Sequence, residues 1–155
     1  MNRTESINQL IRLAAVAWMA GACSQPLTVE QQVIATIRDM ESSIESGERR
    51  PFIAHVDKDF SGQDAVMTRD QLNALILYQL NRHEQVQVQF MPIHITPTKT
   101  GEAEAYFDVL LTGGPGWLPD SGQVFSFVTR WHQQGDEWLL LSANWKPVTI
   151  DPMPE

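Results

Sequence analysis

Side chains able to do chemistry are thinly spread in this 155-residue chain, and the densest group runs from His55 to Gly62. There Asp57, Asp59, Ser61 and Gly62 match the first half of an EF-hand calcium loop, which takes oxygen ligands from alternate residues and turns on a glycine. The second half does not follow. The twelfth position, where a bidentate Glu closes such a site, is Thr68, and the eighth, normally apolar, is Asp64. On a helix His55, Asp57 and Asp59 would point in different directions, so the stretch reads as a solvated helix end and no metal is expected. His83 falls near a helix C-terminus, while His94 and His132 fall on outward strand positions, outside any zinc-binding spacing. Neither Ser126 nor Ser142 sits at a strand-to-helix elbow, and Gly113-Gly-Pro-Gly-Trp117 lacks the Lys-Ser/Thr of a phosphate loop. What remains for acid-base work is Tyr106, Asp108 and His132, which would act only from within an enclosure that shifts their proton affinities. No cofactor is expected.

The elements that must position these residues change character along the chain, helical spacing first and alternation later, which predicts an α+β domain. Thr28-Val-Glu-Gln31 has the form of a capping box. Val33, Ile37, Met40 and Ile44 follow on one helical face, with Ile34 beside them, until Gly47 supplies a stop. Pro51 suits the first turn of a short second helix carrying Phe52, Ile53, Val56 and Phe60 and running out before Gly62. Thr68-Arg-Asp-Gln71 repeats the capping box, Met67 and Leu72 are placed as a hydrophobic staple, and Leu75, Ile76 and Leu80 extend a third helix towards His83.

Beyond Gln85 the period becomes two. Val86, Val88 and Phe90 share a face, and a bulge at Pro92 would bring Ile93 and Ile95 onto it. Ala103, Ala105, Phe107, Val109 and Leu111 alternate with Glu102, Glu104, Tyr106, Asp108 and Leu110. After the Gly/Pro-rich loop Gly113 to Gly122, Phe125, Phe127, Thr129 and Trp131 face inward, and Val124, Ser126, Val128, Arg130 and His132 outward. Gln134-Gly-Asp136 turns the chain. The last strand is expected to place Leu139, Leu141, Ala143 and Trp145 inward and Trp138, Leu140, Ser142 and Asn144 outward.

Three helices and then a curved antiparallel meander, closing on Arg130-Trp-His-Gln-Gln-Gly-Asp-Glu-Trp138 through Trp145, resemble the nuclear transport factor 2-like (SnoaL-like) superfamily. The resemblance covers 28–148 and implies a cone-shaped half-barrel, a fold that serves isomerases, dehydratases and epoxide hydrolases as well as non-catalytic binding or dimerisation domains. The ketosteroid isomerase type needs a carboxylate base and Tyr and Asp donors aimed into an apolar pocket. None of the inward positions here is ionisable. The expectation is therefore an apolar cone with walls that include Ile37, Met40, Phe90, Phe107, Phe127, Trp131 and Trp145, and with Trp117 as a possible lid. It would take an apolar small molecule or a protein partner, with no catalytic residue assigned. The alternative is a lyase, isomerase or hydrolase using Tyr106, Asp108 or His132, which a register slip of one residue would turn inward. The outer face, with Leu110, Val124, Val128, Trp138 and Leu140 among Asp108 and Arg130, is apolar enough to expect a homodimer across it.

The net charge of −8, without any Lys/Arg cluster, argues against nucleic acid as a partner, because phosphate binding needs dense positive charge. Arg3 and Arg12 precede an apolar run, Leu13 to Ala22, of the length of a signal-peptide core. Ala20-Gly-Ala22 then stands directly before Cys23, the single cysteine, and resembles the lipobox of bacterial lipoproteins, with Ala20 where Leu is usual. That resemblance implies a signal peptide over 1–22, a lipidated tether over 23–27, a domain over 28–148 and a tail over 149–155. Ser24 after the cysteine points to the outer membrane, on its periplasmic side. Cys23→Ser is accordingly expected to abolish fatty-acid labelling and to release or stall the precursor. An intact Met1-to-Cys23 segment in the mature protein of the native host would overturn this.

Overall fold

The computed structural model describes residues 26–82, 86–113 and 122–148; the leader 1–22, Cys23, His83, Trp117 and the tail 149–155 lie outside the described residues. Helix α1 (Val29–Glu45) begins at the capping box, where the Gln31 amide donates to Thr28 Oγ1 at 3.3 Å and the Thr28 amide to Gln31 Oε1 at 3.0 Å. These reciprocal bonds satisfy amides that the first helical turn cannot. Gly47, with φ of 70°, takes the left-handed conformation that ends the helix. Val33, Ile37 and Met40 bury the inner stripe, each side chain contributing about 1.5–3 kcal/mol when fully removed from water. The second capping box starts its own helix in the same way, the Thr68 amide donating to Gln71 Oε1 at 2.8 Å ahead of Arg69–Arg82.

The short helix α2 (Arg49–Ala54) corrects the expectation made for it. It ends at His55, and Val56–Gly62, read as its continuation, is strand β1. Val56 and Phe60 are buried as expected, but an i, i+4 pair shares a face in a strand as well as in a helix, so the pattern fits both. Pairing decides. β1 lies parallel to the last strand, Val56 opposite Leu140 and Ser61 opposite Ser142. Arg69 braces the change of direction, its Nη2 donating to the Ile53 carbonyl at 2.9 Å and its Nε to that of Val56 at 3.1 Å.

After β2 (Met67–Thr68) and α3 (Arg69–Arg82) come β3 (Val86–Phe90), β4 (His94–Lys99), β5 (Glu102–Gly113), β6 (Gly122–Gln134) and β7 (Glu137–Pro147). Strands β3 to β7 form the expected antiparallel meander. With β1 and β2 added, the sheet is mixed and unclosed, in the order β2-β1-β7-β6-β5-β3, with β4 also on β5. β5 and β6 pair without a shift from Glu102 opposite His132 to Thr112 opposite Gly122. On one side of this ladder Phe90 faces Val109 but His94 faces Tyr106, so one extra residue is accommodated at Met91-Pro92-Ile93 and returns Ile93 and Ile95 to the core. On the other side Arg130 faces Ser142 but Trp131 faces Leu140, which leaves Leu141 as a second bulge.

That second bulge overturns half of the expected facing in β7. An extra residue reverses the parity of everything before it, so Trp138 and Leu140 point inward and are buried, while Leu139 stands opposite the outward His132. Ala143 and Trp145, beyond the bulge, keep their inward positions. Trp138 Nε1 donates to Gln32 Oε1 at 2.8 Å and ties β7 to α1. The outer face consequently loses Trp138 and Leu140 from the apolar set expected to pair two copies. Leu110, Val124 and Val128 remain of that set, and Val128, 43% exposed on β6, stands opposite Tyr106, 44% exposed on β5.

On this outer face Asp57 is only 4% exposed, not part of a solvated helix end. Its Oδ2 lies 2.8 Å from His132 Nε2, and its Oδ1 accepts from the Asp59 amide at 2.7 Å. The pair spans from β1 to β6 across β7. Burial pushes the Asp57 carboxyl up, but the Asp59 amide, the bond to and charge of His132, and the Lys58 charge together hold it below the ordinary range. An acid depressed in this way adds stability above its unfolded pKa, and that contribution is lost as pH falls through the folded one. Asp57→Asn is therefore expected to cost about 1–2 kcal/mol at neutral pH, with the urea midpoints of the two proteins converging as the pH drops below about 4. Curves that stay parallel through the acid range would show that Asp57 does not contribute in this way.

Candidate functional site

Between the concave face of the sheet and helices α1 and α3 lies a cavity of about 550 Å³. The helical spacing that makes α1 amphipathic places Ile37, Met40, Glu41 and Ile44 along it, and α3 adds Leu72, Leu75, Ile76 and Leu80. The sheet contributes inward positions of β3, β5, β6 and β7. All seven expected wall residues within the described part of the chain, Ile37, Met40, Phe90, Phe107, Phe127, Trp131 and Trp145, line this one space. The expected lid, Trp117, lies outside the described residues.

Along the floor runs a row of aromatic rings, one from each of four neighbouring strands. Phe90 and Phe107 have centroids 5.2 Å apart and tilted planes, Phe107 and Phe127 stack at 5.4 Å, and Phe127 and Trp145 at 5.9 Å. Each such pair adds about 0.5–1.5 kcal/mol beyond area burial, and together they present flat apolar surface to the cavity. Deeper in, the Trp131 indole donates to Thr129 Oγ1 at 2.8 Å, and that hydroxyl donates to the Ala105 carbonyl at 3.3 Å. Trp145 is held from behind by an unusual turn. Gln63, Asp64 and Ala65 have φ of 50°, 56° and 69°, a left-handed region that non-glycine residues occupy at a cost of about 1 kcal/mol or more each. The Gln63 amide side chain offsets part of this, with Nε2 donating to the Trp145 carbonyl and Oε1 accepting from its amide, both at 3.0 Å. Asp64 and Asn144 bond reciprocally beside it.

Among the described residues, Glu41 is the one charged side chain on the cavity wall, and the sequence reading missed it. The signal was available, since Glu41 stands four residues after Ile37 and three before Ile44 on the apolar stripe. Its Oε2 accepts from Arg38 Nη1 at 2.8 Å, and the Arg38 guanidinium lies over the Phe90 ring, 5.1 Å from the centroid. The three candidates for acid-base chemistry are elsewhere, on the outer face. Tyr106 donates to Glu104 Oε2 at 3.1 Å, a bond to a carboxylate that pushes the phenol up; Asp108 accepts from Ser126; His132 is engaged by Asp57. Among the described residues no three His, Cys, Asp or Glu side chains are grouped to hold a metal ion.

Solved structures with this fold are numerous. A candidate dehydratase from the NTF2-like family of Streptomyces avermitilis superposes with a TM-score of 0.65 at 17% identity, over 81% of this chain and 100% of that one. The chain has the NTF2-like fold. A candidate scytalone dehydratase from Novosphingobium aromaticivorans DSM 12444 gives a TM-score of 0.68 at 11% identity, over 77% of this chain and 84% of that one. Bdellovibrio bacteriovorus Bd1075 gives 0.66 at 9% identity over 76% of this chain, which spans only 41% of the length of Bd1075. No protein-family model and no curated protein matches the chain.

In this NTF2-like cone the Thr129 hydroxyl is the only acceptor that the buried Trp131 indole reaches among the described residues. Thr129→Val keeps the shape and strands that N–H, which is expected to destabilise the fold by about 1–3 kcal/mol in urea unfolding. An unchanged midpoint would mean that the bond carries no net stability.

Proposed function

We propose that this chain is a binding module of the bacterial cell envelope, tethered to the outer membrane through Cys23 on the periplasmic side, that takes an apolar small molecule into the cone. The observation that carries the reading is the composition of the cavity wall, which combines a row of aromatic rings and aliphatic helix faces with one charged side chain, Glu41. A pocket of this kind recognises by shape and by removal of apolar surface from water, at about 0.8 kcal/mol for each buried methylene. The tether rests on the leader and the residues around Cys23, and a two-fold pair through Tyr106 and Val128 on the outer face belongs to the same proposal.

A second reading, a small-molecule lyase, isomerase or hydrolase of the SnoaL-like type, is favoured by the dehydratase names of two fold neighbours. The two readings separate by experiment. Nile red, a neutral dye that brightens in apolar surroundings, is expected to bind one site on the full chain with an affinity almost independent of salt. Ile37→Trp, which fills the cavity, should weaken that binding at least tenfold, whereas Asp108→Asn and His132→Ala on the outer face should leave it unchanged. A turnover activity abolished by Asp108→Asn or His132→Ala in a folded protein would replace the binding reading with the enzymatic one.

A further inference from the structure

A carboxylate on an apolar wall is costly unless something compensates it, and Glu41 is compensated on one side only. Arg38 occupies Oε2 at 2.8 Å, and Arg38 is itself steadied against the face of Phe90, the first ring of the aromatic row. Oε1 has no hydrogen-bond partner among the described residues. The pair stands where the cavity meets solvent, the Arg38 side chain half-exposed and that of Glu41 16% exposed. The cavity wall therefore combines a long apolar floor with one charged acceptor whose Oε1 has no protein donor among the described residues. The other polar groups on its wall, among them Thr112, Thr129 and Gln79, are neutral.

We propose that Glu41 is the polar anchor of this cavity and that it selects a neutral apolar ligand bearing a hydroxyl group, an alcohol or a phenol. The proposal rests on the reading of the cavity as a binding site. A hydroxyl donates to Oε1 while the ligand body lies along Phe107, Phe127 and Trp145. A pure hydrocarbon leaves Oε1 without a donor and displaces its water, which loses affinity. A ligand carboxylate has no proton to donate to Oε1 and would have to give up its hydration against the apolar floor. A cation gains little, because Arg38 already balances the charge.

The test is displacement of Nile red from the full chain by three probes of one ring system, naphthol, methylnaphthalene and naphthoate. Naphthol is expected to displace the dye at a concentration about tenfold lower than methylnaphthalene, and naphthoate to be the weakest of the three. Glu41→Leu places an apolar residue on an already apolar helix face. It should retain Nile red and methylnaphthalene binding while the preference for naphthol disappears; Glu41→Gln, which keeps an acceptor, should retain part of it. If the wild-type protein binds Nile red but does not distinguish the probes, or if the preference survives in Glu41→Leu, the role of Glu41 is overturned while the cavity stands as a site. If Nile red does not bind at all, both readings fall together.

Discussion

Between Glu102 and Thr112 every residue of β5 faces one residue of β6, and strict alternation along both strands makes this ladder decide which face of the sheet each neighbour must serve. Its inner parity, from Phe107 to Leu111 and from Phe125 to Trp131, supplies the back wall of the cavity. The strands on either side cannot simply repeat that register. Each carries one extra residue, at Met91-Pro92-Ile93 and at Leu141, and each bulge bends its strand and increases the local twist. A stiff, regular centre with adjustable flanks is how a sheet wraps around a single helix such as α1.

The cavity follows from that wrapping, and it works against stability. Side chains facing an unfilled space lose dispersion contacts that a close-packed core would give them, so a domain required only to be stable would be expected to close it. Here the walls hold apart for identifiable reasons. The aromatic rings brace one another in a row, Arg69 fixes the junction of α2 and β1, and Trp138 reaches across to Gln32 on α1. Polar chemistry is meanwhile segregated. Asp57, Asp108, Tyr106 and His132 are engaged with neighbours on the outer face, and among the described residues Glu41, paired with Arg38, is the only charged side chain on the cavity wall.

How legible these features were in the sequence depended on the range of the interactions that made them. Both capping boxes were readable because donor and acceptor lie three residues apart, and the inward faces of β5 and β6 because apolar and polar residues alternate cleanly there. The bulge near Pro92 was marked by a residue that cannot donate to a ladder. The bulge at Leu141 was not marked, since Trp138-Leu-Leu-Leu141 is apolar in both parities and so carries no sign of a shift. Strand β1 was hidden for a different reason. Its partner lies some eighty residues away, and a parallel pairing leaves no local turn to announce it. Glu41 was passed over because carboxylates are mostly solvent-facing, a habit that spacing along α1 contradicts.

The side chains of Gln63 and Glu45 have a consequence for assembly. Strands at the rim of a sheet expose unpaired amides and carbonyls on which another chain can template itself. Where β1 stops short of the end of β7, Gln63 meets both the amide and the carbonyl of Trp145, standing in for the peptide group that a longer β1 would bring, and Glu45 receives the Val88 amide on the edge strand β3. At these two places a side chain, not a strand, meets the exposed backbone. A side chain can rotate away where a strand cannot, so each of these two stretches is guarded against runaway edge-to-edge association yet stays open, one rotamer at a time, to a segment that competes well enough for the same hydrogen bonds.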